Sequence, residues 1–200
     1  MGVLKAKVGG IWVPVGSPMG FFGVESAKPV TPASPIQYFA TDTKRNWQWD
    51  GTGWIILSEP QQTYAPSPTN VSNGGGFSLS GWYHRSDGYC DVHIYHMLGN
   101  STAGVITSPG PAYLLPFTSS NLGDEQYVFE GSAALYDATG PIFGLMPVII
   151  GNSRVEPRYL AISGSTSSPL GQISNTFPIT ISVSDTIAIR LRYRMLSRYS

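Results

Sequence analysis

The stretch "TIAIRLRYRM", residues 186–195, constrains this chain more than any other. Ile187, Ile189, Leu191, Tyr193 and Met195 alternate there with Ala188, Arg190, Arg192 and Arg194, the two-residue period of a strand with one face buried. Such a strand needs partners, because its apolar face gains nothing unless it packs against a second sheet or a neighbouring subunit. The same parity runs backwards through Ile179, Ile181 and Val183 until Asp185 falls at a core-face position, which predicts a turn or bulge there.

The 200 residues include 23 Gly and 16 Pro, and only 12% are charged, about half the usual share. That favours short strands joined by many turns. The 42% apolar and 12% aromatic content is too high for a chain that never packs. A formal net charge of zero leaves no molecular field to recruit nucleic acid or an anionic membrane. Gly9, Gly10 and Pro14 interrupt the apolar positions near the start, and no run approaches a membrane span, so neither nucleic acid nor membrane insertion is expected. Cys90 is the single cysteine, which excludes an intrachain disulfide.

Taken in order, residues 4–8 and 11–15 predict a hairpin around Gly9-Gly10. Pro29, Pro32 and Pro35 suit an extended, stiff connector. Residues 37–57, "QYFATDTKRNWQWDGTGWIIL", outline a three-strand meander with turns at 42–45 and 51–53. Residues 59–76 carry no apolar period and read as a Pro/Gly-rich linker. Beyond it, strands are expected at 77–84 and 89–98, joined by "RSDG", then at 113–116, 127–129, 133–136, 146–150 and 159–162. The predicted fold is all-β: small N-terminal hairpin and meander modules (1–58), a linker (59–76) and a C-terminal antiparallel β-sandwich of jelly-roll type (77–200). A fragment beginning near Asn73 is expected to fold alone.

The densest polar cluster contains His84, Asp87, Cys90, Asp91, His93 and His96. On a continuous strand Cys90 and His96 share one face and His93 the other, so the spacing gathers no metal site within one subunit. Cys90 and the histidines are therefore expected to be structural, with no metal or cofactor. No Gly-x-Ser-x-Gly elbow or phosphate-binding glycine loop is present, and no carboxylate pair stands out for glycoside cleavage. An enzyme is not expected. Candidates for stacking on or hydrogen bonding to a glycan are Trp47, Trp49, Trp54 and Trp82, with Arg190 and Arg192. For the three clustered tryptophans, serving as the core of a small module is the stronger reading.

Residues 81–117, "GWYHRSDGYCDVHIYHMLGNSTAGVITSPGPAYLLPF", resemble the start of the C-terminal head domain of many tailed-phage fibre and minor tail proteins. There an aromatic-rich strand passes through an "R-x-G-D"-like turn into a "V-x-V" strand, and a variable loop leads to Leu-Pro. Arg85, Val92, Ile94 and Leu115-Pro116 match, while Ser86-Asp87-Gly88 departs from the Gly-Asp order. "SVSDTIAIRLRYRM" is similar to the closing strand of such domains, "YFATDTKRNWQWDGTGWIIL" to a small module of phage appendage stems, and "LKAKVGGIWVPV" to the start of minor tail proteins from actinobacterial phages. The resemblance implies a structural virion protein assembled in the host cytoplasm, usually a homotrimer. Its N-terminal part would contact other virion proteins, and its outward head could meet a host cell-wall glycan. Competing expectations are a carbohydrate-binding module without a virion role, a capsid decoration or head-fibre protein, and a cell-wall hydrolase.

Overall fold

A computed structural model of the chain describes residues 5–8, 11–14, 20–33, 35–71, 75–99, 106, 110–120, 125–127, 130–160, 170–174, 176, 181–182 and 184–197. It is all-β, as the composition predicts. Strands β1 (Lys5–Val8) and β2 (Ile11–Pro14) pair antiparallel as the expected hairpin; its two-glycine turn lies outside the described residues. Among the described residues no helix is long and apolar enough to cross a membrane.

Two compact units follow from the pattern of contacts. The first runs to Gln61 and takes in His84–Tyr89; the second comprises Gln62–Tyr83 and Cys90–Leu196. In the first, β3 (Gly20–Gly23), β4 (Ile36–Ala40), β5 (Arg45–Trp49) and β6 (Trp54–Ser58) form a four-stranded sheet in that order. β4 to β6 are the expected meander, and β3 adds a parallel strand on its edge. The prolines at 29, 32 and 35 lie in the crossover that a parallel pair requires, together with a 3-10 turn at Glu25–Ala27. Alternation in β4 buries Ile36, Tyr38 and Ala40, which pack with Phe21, Trp47, Trp49, Trp54 and Ile56 into one small core. The turn after β5 is held by Asp50, whose Oδ1 accepts from the amides of Thr52 and Gly53 at 2.9 and 3.0 Å.

Glu59, just past β6, is buried. Its carboxylate accepts from Arg45 Nε at 3.0 Å and from Arg85 Nε and Nη2 at 2.6 and 2.8 Å. Arg45 Nη1 also reaches both oxygens of Glu25 at 3.1 Å. The amide of Glu59 donates to the Arg85 carbonyl, and that of Asp87 to the Ile56 carbonyl, so residues 84–89 continue the hydrogen bonding of the small sheet.

The second unit is one curled sheet of eleven strands: β7 (Gln62–Tyr64), β8 (Pro68–Thr69), β9 (Ser78–Ser86), β10 (Tyr89–Met97), β11 (Ala112–Leu114), β12 (Glu125–Tyr127), β13 (Gly131–Tyr136), β14 (Ile142–Ile150), β15 (Arg154–Leu160), β16 (Leu170–Gln172) and β17 (Thr186–Arg194). Its path is β7-β9-β10-β17-β13-β14-β15-β11-β8, with β12 added on β14 and β16 on β15. β14 links the two layers. Residues 142–145 pair with β13, and residues 146–150 pair with β15, so one strand leaves the first layer and enters the second. Between the layers lies a single core that includes Val92, Ile94, Leu135, Ile187, Ile189 and Leu191 from one side and Tyr113, Ile149 and Val155 from the other.

β17 is central, between β10 and β13, and it buries Ile187, Ile189, Leu191, Tyr193 and the following Met195 while Arg190, Arg192 and Arg194 stay exposed. The expected interruption at Asp185 is a turn. Asp185 is fully buried, yet its carboxylate accepts from the amides of Ala138 and Ser182 and from Ser182 Oγ at 2.7 to 3.1 Å, which offsets the cost of burying it. The backward parity stops there: Ile181 packs on the core outside any strand, and residues 179, 180 and 183 lie outside the described set. Asp87 and Gly88 both have positive φ, 48° and 79°, the two-residue type I′ turn that Asp-Gly favours, so the departure from Gly-Asp order makes an ordinary hairpin.

The segment 59–76, expected as a bare linker, instead contributes β7, paired with β9, and β8, paired with β11. These are the two ends of the sheet path, where two- or three-residue strands tolerate proline. A fragment beginning near Asn73 omits both strands; one beginning at Gln62 keeps them.

Candidate functional site

The six residues singled out in the sequence separate into three locations. Trp47, Trp49 and Trp54 are core residues of the first unit, at 2%, 7% and 7% exposure. Trp49 and Trp54 meet edge to face at 5.8 Å, Trp54 Nε1 donates to the Pro29 carbonyl at 2.7 Å, and Lys28 Nζ sits 3.2 Å from the Trp47 ring centroid. None of the three offers an open ring for a sugar, and packing is their role. Arg192 lies on the exposed face of β17 with Glu130 at 3.8 Å.

Trp82 and Arg190 do come together, in the second unit. Parity on β9, β10, β17 and β13 directs Trp82, His93, Tyr95, Ala188, Arg190, Ser132, Ala134 and Tyr136 to the outer face of the first layer. With the strand backbone they line an open trough of about 260 Å³. Its floor is set by register: Ala188 is opposite Ala134, and Ala134 is opposite Gly144, so three small residues lie in one row across three strands. At Gly144 an added Cβ would meet nothing within 4 Å. The rows on either side carry larger groups, Tyr136 with Ile142 on one and Arg190 with Ser132 on the other. These rows are four residues apart, roughly 13 Å along the strands. Trp82 stacks on His93 with centroids 5.0 Å apart and planes 16° from parallel, forming one end wall. Burial and the neighbouring Arg190 hold the His93 imidazole below its ordinary range, with Asp91 opposing them.

Chemically this is a shallow recess with aromatic walls, a hydroxyl at Ser132 and one guanidinium. In shape and chemistry such a surface is complementary to apolar ring faces with hydroxyl edges. The sequence reading named Trp82 and Arg190, took His93 as structural, and missed Tyr95, Tyr136 and the alanine floor, which depend on cross-strand register.

The polar cluster around Cys90 divides as its parity predicts. Cys90 and His96 are buried on the inner face, while His93 lies on the outer. Among the described residues no group of three His, Cys, Asp or Glu side chains is placed to hold a metal ion. His96 Nδ1 is 2.9 Å from the Tyr113 hydroxyl, and burial pushes its pKa down to about 4. In the unfolded chain a histidine titrates near 6.5, so below that pH the unfolded state binds more protons than the folded one. Stability from this group is complete above about pH 6.5 and is expected to fall by up to about 3 kcal/mol as the pH drops toward 4. Urea midpoints at pH 7.0, 5.5 and 4.0 check this, and the His96→Phe variant should lose most of that slope.

No protein-family model matches the chain. No curated protein and no solved structure matches it either. The functional reading therefore rests on the trough itself and on the short motifs.

Proposed function

We propose that this chain is an adhesive structural protein of a tailed-phage virion, and that its larger unit binds a cell-surface glycan in the trough of β9, β10, β17 and β13. The observation that carries the glycan reading is the pairing of aromatic walls, Trp82 on His93 and Tyr136 across the floor, with the recess left by Ala188 and Ala134. Its volume, about 260 Å³, is just below the usual range of ligand clefts, from about 300 Å³ upward, and suits one sugar ring of a longer chain. The virion reading is supported by the resemblance of residues 81–117 and 182–195 to phage head domains, and it assigns contacts with other virion proteins to the N-terminal part.

The test is incubation with purified cell walls from a panel of bacteria. Saturable binding without release of sugars is expected; release of sugars would make the chain a hydrolase. Ala134→Leu fills the trough floor from the solvent side, and Trp82→Ala removes a wall. Each should weaken binding at least about tenfold, or 1.4 kcal/mol, with an unchanged circular dichroism spectrum. Binding that survives both variants would place the site elsewhere. Immunogold labelling of phage particles tests the virion part separately.

The homotrimer belongs to the same reading. Exposed apolar side chains such as Ile142 and Leu196 in a weakly charged chain suit an interface between copies. Light scattering at micromolar concentration should give about three times 21.6 kDa; a mass near 21.6 kDa would remove the trimer and leave the trough untouched.

A further inference from the structure

We infer that the glycan held by the trough is acidic, and that Arg190 on β17 selects it by pairing with a sugar carboxylate. This rests on the glycan reading above and adds the chemical class of the ligand. The first ground is charge. Among the described residues that line the trough, Arg190 is the only formally charged side chain apart from the titratable His93; the Asp91 carboxylate acts on His93 but is not part of the lining.

The second ground is the lack of compensation. Arg192, on the same face of the same strand, has Glu130 at 3.8 Å. Arg45 and Arg85 share Glu59, and Arg158 is 3.2 Å from Glu156. Among the described residues Arg190 has no ion-pair partner, although it stands beside another basic side chain, His93. His93, held below its ordinary range by burial and by Arg190, is uncharged at neutral pH, so Arg190 is the cation that an anionic ligand would meet there.

The third ground is position. Arg190 sits opposite Ser132 in the row flanking the alanine floor, so a ring lying over Ala188 and Ala134 would bring its edge to the guanidinium. Arg presents a planar fork of N–H donors that matches a carboxylate with two parallel hydrogen bonds, while Ser132 Oγ can serve an adjacent hydroxyl. Trp82, His93 and Tyr136 then supply the contacts that a neutral sugar would share, and Arg190 supplies the discrimination.

The experiment uses matched pairs of oligosaccharides: oligogalacturonate, oligoglucuronate and sialyl-lactose, each compared with its carboxyl-reduced counterpart, in which a neutral hydroxymethyl group replaces the carboxylate on the same ring. Binding is measured by calorimetry with the full chain at 50 and 300 mM NaCl. The expected result is that at least one acidic member binds tenfold or more tighter than its reduced form, with the gap narrowing at high salt. Arg190→Gln should erase that preference while leaving the weaker, charge-independent binding; Arg190→Lys should restore part of it. Trp82→Ala should weaken both members equally. Equal binding of acidic and reduced members, or a preference that survives Arg190→Gln, overturns the acidic-ligand inference and leaves the glycan reading in place. Absence of binding to every member, combined with no saturable binding to cell walls, overturns both together. Cell-wall binding that persists while every matched pair fails, and that Arg190→Gln does not weaken, overturns the inference alone.

Discussion

Replacing Ile189 with Asp is expected to abolish folding of the larger unit. Ile189 is 2% exposed at the centre of β17, opposite Ala133 on β13 and within the cluster that joins both layers. None of the described residues of that cluster is cationic, so a carboxylate there would either ionise in an apolar site or take up a proton, and both routes cost several kcal/mol. The lost contacts of a large aliphatic side chain add about 2 to 5 kcal/mol. Together these fall within the roughly 5 to 15 kcal/mol on which a domain of this size depends, enough to remove most or all of it. Ile189→Val keeps the shape and should cost only about 1 kcal/mol. Urea denaturation followed by far-ultraviolet circular dichroism separates the two variants; cooperative unfolding of Ile189→Asp at the wild-type midpoint would mean that β17 is not the central strand.

The second large effect is expected at Glu59. Its side chain is fully buried between two guanidinium groups whose own exposure is 24% for Arg45 and 13% for Arg85. Glu59→Ala leaves two partly buried cations with Glu25 as the remaining acid in the network. Breaking a buried ion pair from one side costs about 3 to 5 kcal/mol. Here the lower end applies, because Arg45 retains Glu25 and some contact with water. Glu59→Gln should not rescue it, since its amide would turn donors toward donors. Trp47, Trp49 and Trp54 lie in the same unit, so their fluorescence reports the loss directly. A thermal midpoint within about 1 °C of wild type would show that the arginines find other partners at no cost.

Why some of this was legible and some not has a physical basis. β17 could be read because a strand in the middle of a sheet has one face wholly buried, which imposes an unbroken alternation from Ile187 to Met195. β7 and β8 could not, because they are edge strands of two or three residues, too short to show an alternation, in which proline is tolerated and the side chains are at most partly buried. Trp47, Trp49 and Trp54 were ambiguous by density alone, since a small core and a stacking surface call for the same residues; only the strand register decides. The trough was half visible. Trp82, His93 and Arg190 are conspicuous chemistry, but the recess comes from Ala134 and Ala188, residues with no signal of their own that register brings into one row. Tyr95 and Tyr136 likewise acquire meaning only once β10 and β13 are placed on either side of β17.

The central position of β17 also sets a timetable for synthesis. β10 ends at Met97 and β13 at Tyr136, whereas β17 begins only at Thr186. Until that last strand emerges from the ribosome, its two neighbours have no partner between them, and each presents an open hydrogen-bonding edge beside an uncovered apolar face. Sheets closed by such distant pairings form slowly, and the waiting intermediate is the species most prone to associate with its own kind. A nascent chain halted before Thr186 would therefore be a hazard to its neighbours on the same polysome, and chaperone demand should peak just before that strand emerges.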